Sequence, residues 1–385
     1  MKLKQINAWV VQVPLLKDWA TSEEFGPHMP KKNSRTLLQL IDESGAEGWG
    51  ESAGNALAQL EGMAERLFSL DLRGTRLSML DLWEKEELYW SRPAAPSPYA
   101  ANEANLRHRL RHPLQSLLEC ALVDLNARRS GLPISDFFGG RWRDAITTDY
   151  WAGRVRPDHA AECAKRGKSL GFNGIKFKTT LEDPNVERLE AVKKAVGVDF
   201  HVTLDPNGRF YRLGDAWKTI QALDKVGNLG ILEDPFPRFY LTEFAELRQR
   251  IDARLVLHID PVESFWSVLE ARAAGGLNLD SHTIGPFQWR ILAGAAEQAN
   301  LPIWHGSGLD LGVGTAWQLH LASTAPNCQL PGDQAGPWLR EHSLVNEEFV
   351  VKNGCISVPT GPGIGVSVDR DALERYTADS KSLNR

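Results

Sequence analysis

The sequence predicts an α/β protein, a (β/α)8 barrel of the TIM type carrying an N-terminal α+β capping domain. Three observations carry that expectation. From about residue 144, eight short apolar or β-branched runs recur, their starts about 25 residues apart, the length of one strand-loop-helix-loop unit. Each run is followed by a longer amphipathic segment, the pattern of a parallel sheet covered by helices. Six successive runs end in an ionisable residue, and the C-terminal ends of the strands are where such a barrel does its chemistry.

The chain before the barrel has a different character. Residues 2–13 and 35–42 alternate like strands, and Gly48-Trp49-Gly50-Glu51 follows a turn signal at Ser44-Gly45. From about 56 to 130 the apolar spacing is helical, ending at Gly131. This predicts a capping domain over 1–130. The barrel is expected over 131–355, and the Gly- and Pro-rich tail 356–385 is expected to return to the capping domain.

Composition narrows the function. A chain of 385 residues, 42% hydrophobic, can bury a large core and form about two domains. Its net charge is -5 and it has no basic run, which argues against a nucleic-acid partner. No apolar stretch is long enough to span a membrane, and the N-terminus shows neither an apolar h-region nor a cleavage site. Cys120, Cys163, Cys328 and Cys355 lie far apart, as expected in a reducing, cytoplasmic compartment. The thirteen tryptophans suit core and interface packing.

The run ends supply the candidate site. They are Lys176 and Lys178, Asp205, Glu233 and Asp234, His258 and Asp260, Asp280, and His305. One charge at a strand end is ordinarily a solvated loop residue. Six in a row, converging on one mouth, need each other or a metal. Carboxylates on neighbouring strands make a hard oxygen site suited to Mg²⁺. Alternation puts Lys176 and Lys178 on one side of their strand, and neighbouring cations disfavour each other's charge. Lys178 is thereby a candidate base. Asp280 and His305 sit on consecutive strands across the ring and are expected to pair as a carboxylate-imidazole dyad. Gly306, Ser307 and Gly308 after it would let a substrate approach the backbone. Parity within the first run places Tyr150 inward and Trp151 outward.

Over nearly its whole length the chain resembles the mandelate racemase and muconate lactonising group of the enolase superfamily. The resemblance rests on the Gly-Trp-Gly-Glu turn, the helical stretch 117–140, Lys176-Phe177-Lys178, Leu204-Asp205-Pro206-Asn207-Gly208, Leu232-Glu233-Asp234-Pro235, the segment Asp280 to Gly285, and Trp304-His305. It implies Mg²⁺, with Mn²⁺ as the alternative, held by Asp205 and Glu233. It also implies removal of the proton next to a substrate carboxylate by Lys178, with His305, Asp280 and Lys176 as further catalytic residues. A loop of the capping domain would cover the mouth, here Asp18 to Asn33 with Trp19 and His28 as substrate contacts. Asn207 and Tyr150 would meet substrate from the barrel. The partners implied are a small carboxylic acid and, as in many such barrels, further copies of the chain, for which Trp83, Tyr89 and Trp90 could supply contacts.

Three positions depart from the family pattern. The third metal ligand, ordinarily a glutamate on the fifth strand, falls between His258 and Asp260, and spacing and chemistry do not choose between them. The eighth run has no glutamate, and Asp333 is the nearest substitute. Pro286 stands where a second glycine is expected. No lysine follows Asp280 closely, so the arrangement of lysines on both faces does not fit. The favoured outcome is dehydration of an acid sugar to a 2-keto acid. Racemisation or epimerisation of a hydroxy acid or amino-acid derivative is the alternative, followed by cycloisomerisation. A degenerate member that binds a ligand without catalysis is the reading of a different class.

Overall fold

The computed structural model describes residues 2–16, 34–71, 114–259 and 264–385. Strands β1 (Leu3–Val11), β2 (Arg35–Asp42) and β3 (Glu47–Ala53) form an antiparallel sheet at the N-terminus. On its inner face Leu3, Ile6, Ala8, Val10, Leu38 and Leu40 pack against the helices Leu57–Ser69 and Gln115–Ser130. The glycines of Gly48-Trp49-Gly50-Glu51 explain how closely. A Cβ on Gly48 would lie 2.2 Å from the Ala121 carbonyl oxygen, and one on Gly50 2.4 Å from that of Leu117. The helix therefore rests on bare backbone. Gly48→Ala is expected to destabilise the protein by about 1–3 kcal/mol or more, read as a lower melting temperature; an unchanged melt would show that the helix can lift away.

The barrel follows. β4 (Ala145–Thr147) precedes seven parallel strands: β5 (Tyr150–Ala152), β6 (Gly174–Lys178), β7 (His201–Asp205), β8 (Leu229–Glu233), β9 (Arg254–His258), β10 (Gly276–Leu279) and β11 (Ile303–His305). They run in sequence order across the sheet. The expected eighth strand, around Asn327 to Gly332, does not form. Pro331 removes a ladder donor there, and the segment makes two isolated parallel bridges, Ile303 with Cys328 and Thr148 with Gly332. These join β11 to the residues just before β5 and close the ring. Helices between the strands follow from their spacing: Leu213, Ala216, Ile220 and Leu223 bury one face of Leu213–Val226, which stops at left-handed Gly227.

After the barrel, β12 (Val351–Lys352) and β13 (Cys355–Ser357) pair with β4. Strand β14 (Thr377–Asn384) then lies antiparallel on β1, so the chain's end becomes the edge of the N-terminal sheet. Asp124 ties these parts together. It accepts the backbone N–H groups of Trp49 and Ile364, each at 2.7 Å, and pairs with Arg128. Among the described residues no helix is long and apolar enough to cross a membrane.

Candidate active site

Register decides which side chains enter the barrel. Trp151 is level with Lys176, Lys176 with Thr203 and Lys178 with Asp205. His258 is level with Asn278, and Asn278 with Trp304. Neighbours in register share a face. Ile231, Val256 and Trp304 fill the lower interior. Above them lies a charged layer, beginning with the Lys176 ammonium 5.5 Å over the Trp304 ring.

Lys176 is the centre of that layer. Its Nζ lies 2.6 Å from Glu233, 3.0 Å from Asp333 and 3.3 Å from Asp205, and all four side chains are buried. Burial alone would lower its pKa, but the three carboxylates outweigh this and raise it well above the usual lysine value. Lys178, partly exposed at the mouth, pairs with Asp205. Asn207 is exposed, with its own φ at 49°, and its backbone N–H donates to Asp205 Oδ1 at 3.0 Å. Burial and the neighbouring Asp205 carboxylate push Glu233 up to about 7, and Asn278 Nδ2 donates to its other oxygen at 2.6 Å.

Could this layer hold a divalent cation? Glu233, Asp234 and His258 each bring one ligand atom within 4.8 Å of the others. Asp234 is already taken. Its Oδ1 accepts the His258 backbone N–H at 3.0 Å and its Oδ2 accepts from Arg238 at 2.7 Å. His258 Nε2, by contrast, is buried with no hydrogen-bond partner among the described residues. Burial, with Arg238 nearby, brings this imidazole down to about 3, so it is neutral and keeps a free lone pair. Glu233 and His258 thus bring two donors close enough for one divalent ion, and Asp205, which shares the Lys176 ammonium with Glu233, is the further carboxylate of the same layer. Asp260, the other candidate, lies outside the described residues, as do Trp19 and His28 and the aromatic residues Trp83, Tyr89 and Trp90.

Three expectations are corrected. Tyr150 does not face the mouth. Its hydroxyl accepts from Arg166 Nε at 3.1 Å, its ring meets Phe172 edge-on, and its Cβ presses on Gly167 of the covering helix. Trp151 takes the inward face instead. His305 also turns away, because Trp304 occupies the inward position of that strand. The imidazole stacks on Trp289 in the helical layer, with ring centroids 5.2 Å apart, and lies 2.7 Å from the Gly306 carbonyl and 2.9 Å from Ser281 Oγ. Burial lowers it to about 4, leaving it neutral. Gly306, finally, makes room for protein: a Cβ there would sit 2.5 Å from Asn278 Oδ1 and 3.1 Å from Asp280 Cβ.

The partner of Asp280 is His282, two residues along. Asp280 caps the short helix Ser281–Ile284 by accepting the His282 backbone N–H at 2.9 Å, and the same oxygen lies 3.1 Å from His282 Nδ1. His282 Nε2 is 3.5 Å from Asp310, which Arg35 of β2 holds at 2.6 Å. Arg35 also pairs with Glu51, whose carboxylate accepts the Leu311 and Gly314 N–H groups at the start of the helix Gly312–Ser323. Sequence reasoning passes over His282 because it lies beyond the strand; an Asp-x-His spacing at a helix start was the available signal. Burial would lower this imidazole, but Asp310 and Asp280 raise it to about 9. Burial would raise Asp280, but His282 brings it down to about 2.

The sign for stability follows from linkage. An imidazole raised from about 6.5 in the unfolded chain to about 9 when folded contributes stability that is complete below pH 6.5. That contribution is lost as pH rises through 9. Unfolding free energy should therefore fall across roughly pH 6.5–9, and His282→Gln should remove that part of the slope. Chemical denaturation at several pH values measures it; parallel profiles for the two proteins would discount the ion pair.

With this geometry in hand, comparison with known proteins is decisive for family. Residues 158–372 match the family model described as Enolase C-terminal domain-like. The chain belongs to the mandelate racemase and muconate lactonising family of the enolase superfamily. It is 28% identical to an o-succinylbenzoate synthase of Geobacillus kaustophilus, over 97% of this chain and 96% of that one. It is 29% identical to an N-succinylamino acid racemase of Thermus thermophilus, over 98% of each. Two solved structures share its fold over the full length of both chains. They are an N-succinyl Arg/Lys racemase from Bacillus cereus (TM-score 0.81, 17% identity) and a dipeptide epimerase from Cytophaga hutchinsonii complexed with Mg and a dipeptide (TM-score 0.78, 22% identity). The family resemblance in the sequence is thereby confirmed. Acid-sugar dehydration, the outcome favoured from sequence, has no support among these relatives, and racemisation or epimerisation fits them better.

Proposed function

We propose that this protein is a metal-dependent racemase or epimerase that inverts the carbon next to a carboxylate in an N-acylated amino acid or dipeptide. One observation carries the reading. Lys178 closes β6, and the Asp280–His282 pair stands at the end of β10, four strands away in the ring of seven strands and one bridging segment. Inversion needs an acid and a base on opposite faces of one carbon, and this pairing supplies them. The substrate class is taken from the relatives' names.

Asp205, Glu233 and His258 would hold the metal, whose contribution is to bind the substrate carboxylate and stabilise the charge that develops when the proton leaves. The protein's own groups divide the remaining work. Lys178 exchanges a proton with one face of the carbon. His282, kept protonated by Asp280 and Asp310, exchanges one with the other face. Lys176 stays charged and buried, and holds Asp205 and Glu233 in place. Arg35, Glu51 and Asp310 anchor the His282 side to the N-terminal sheet.

A test is incubation with Mg²⁺ or Mn²⁺ and single enantiomers of N-succinyl amino acids and of dipeptides, followed by chiral chromatography. Inversion of at least one member is expected. Formation of a 2-keto acid from an acid sugar, with no inversion in the panel, would reject the assignment in favour of a dehydratase.

A further inference from the structure

We propose that His258 is the third metal ligand, through Nε2, and that it makes this centre a mixed nitrogen-oxygen site preferring Mn²⁺ to Mg²⁺. The inference rests on the metal centre of the proposed function and is independent of the reaction carried out there.

The imidazole is placed for this by its backbone. Its N–H is fixed on Asp234 Oδ1 at 3.0 Å, and the next N–H, of Ile259, donates to the Asn278 carbonyl at 2.9 Å. Asp234 is locked in turn by Arg238, so it acts as a brace for the strand end. His258 is level with Asn278, and the Asn278 amide orients Glu233. The ring thus enters the charged layer beside the carboxylates. Its Nε2 is buried and has no hydrogen-bond partner among the described residues, a costly arrangement for a polar atom unless something binds it. An aspartate or glutamate here would complete a hard oxygen site. A neutral nitrogen instead weakens the hold on Mg²⁺, which favours oxygen, and improves the hold on later divalent ions. It also leaves the centre one negative charge poorer, which favours the ion that gains more from each ligand.

Electron spin echo spectroscopy of the Mn²⁺-loaded protein reads the ligand directly. The expected spectrum carries ¹⁴N modulation from one imidazole, replaced by the ¹⁵N pattern when the protein is made with ¹⁵N-histidine. His258→Asp should remove it and shift the Mn²⁺-to-Mg²⁺ affinity ratio, measured by calorimetry, towards Mg²⁺ by roughly tenfold or more. Absence of histidine nitrogen coupling in the wild type, or its persistence in His258→Asp, would overturn the proposal. So would loss of metal binding in Asp260→Asn with an unaffected His258→Asp. None of these results depends on turnover, so an inactive but correctly ligated protein would count against the function alone.

Discussion

Lys178→Ala should lower turnover by about 10³-fold or more, within the range for removal of a general acid-base group. It should also split the two directions of proton exchange. In D₂O the variant is expected to exchange the α-proton of only one enantiomer, the one whose proton faces His282. His282→Gln should show the opposite preference. The reason is geometric: each group reaches one face, and with its opposite number missing the surviving group can only remove and return a proton on its own side. Equal exchange of both enantiomers by Lys178→Ala would remove Lys178 from the mechanism. Full retention of inversion in His282→Gln would return the second face to water or another group. Since Lys178 pairs, among the described residues, with Asp205 alone at the rim, the substitution should leave the fold intact, which a far-ultraviolet spectrum checks.

The second large effect concerns stability. Lys176→Met should destabilise the metal-free protein by on the order of 3–5 kcal/mol, the usual cost of stranding buried charges without their partner. Among the described residues, Lys176 is the one ammonium shared by Asp205, Glu233 and Asp333. Removing it leaves Glu233 and Asp333 without an ammonium among the described residues, to protonate or repel, and Asp205 with Lys178 alone. A divalent cation would restore part of the missing charge, so the variant's melting temperature should rise more on adding Mn²⁺ or Mg²⁺ than the wild type's does. Melting in chelator and in excess metal measures both. An unchanged melt in chelator would mean that the cluster is not held by this lysine.

The barrel was legible because its strands announce themselves by apolar runs of about five residues and, in six of the eight, by the ionisable residue at the end. The placement of Asp205 and Glu233 at the ends of β7 and β8 needed nothing more. Legibility failed where strands are too short to fix parity. β11 has three residues, and from sequence either Trp304 or His305 can face inward; the register with β10 settles it for Trp304. The first run is interrupted at Thr148-Asp149 between β4 and β5, so parity could not be carried through to Tyr150. The eighth strand failed for a different reason, since Asn327 to Gly332 reads as an apolar run yet contains a proline and closes the ring through single bridges. His282 was hidden because a one-turn helix follows β10, and the Asp-x-His spacing alone hints that a residue beyond the strand folds back on Asp280. The role of Gly48 and Gly50 was equally invisible, because a turn signal says nothing about the helix that will lie on it.

These results leave one claim at the centre, that a proton is exchanged on two faces by two different groups. Early-time isotope partition in the wild-type protein tests it most directly. One enantiomer of a substrate is incubated with metal-loaded protein in D₂O, and both the inverted product and the recovered starting material are analysed by NMR before equilibrium. The account predicts deuterium in the product well ahead of the recovered substrate, because the proton taken by one group is not the one delivered by the other. Deuterium accumulating in the recovered substrate with no inversion would contradict it and point to a single base working on one face.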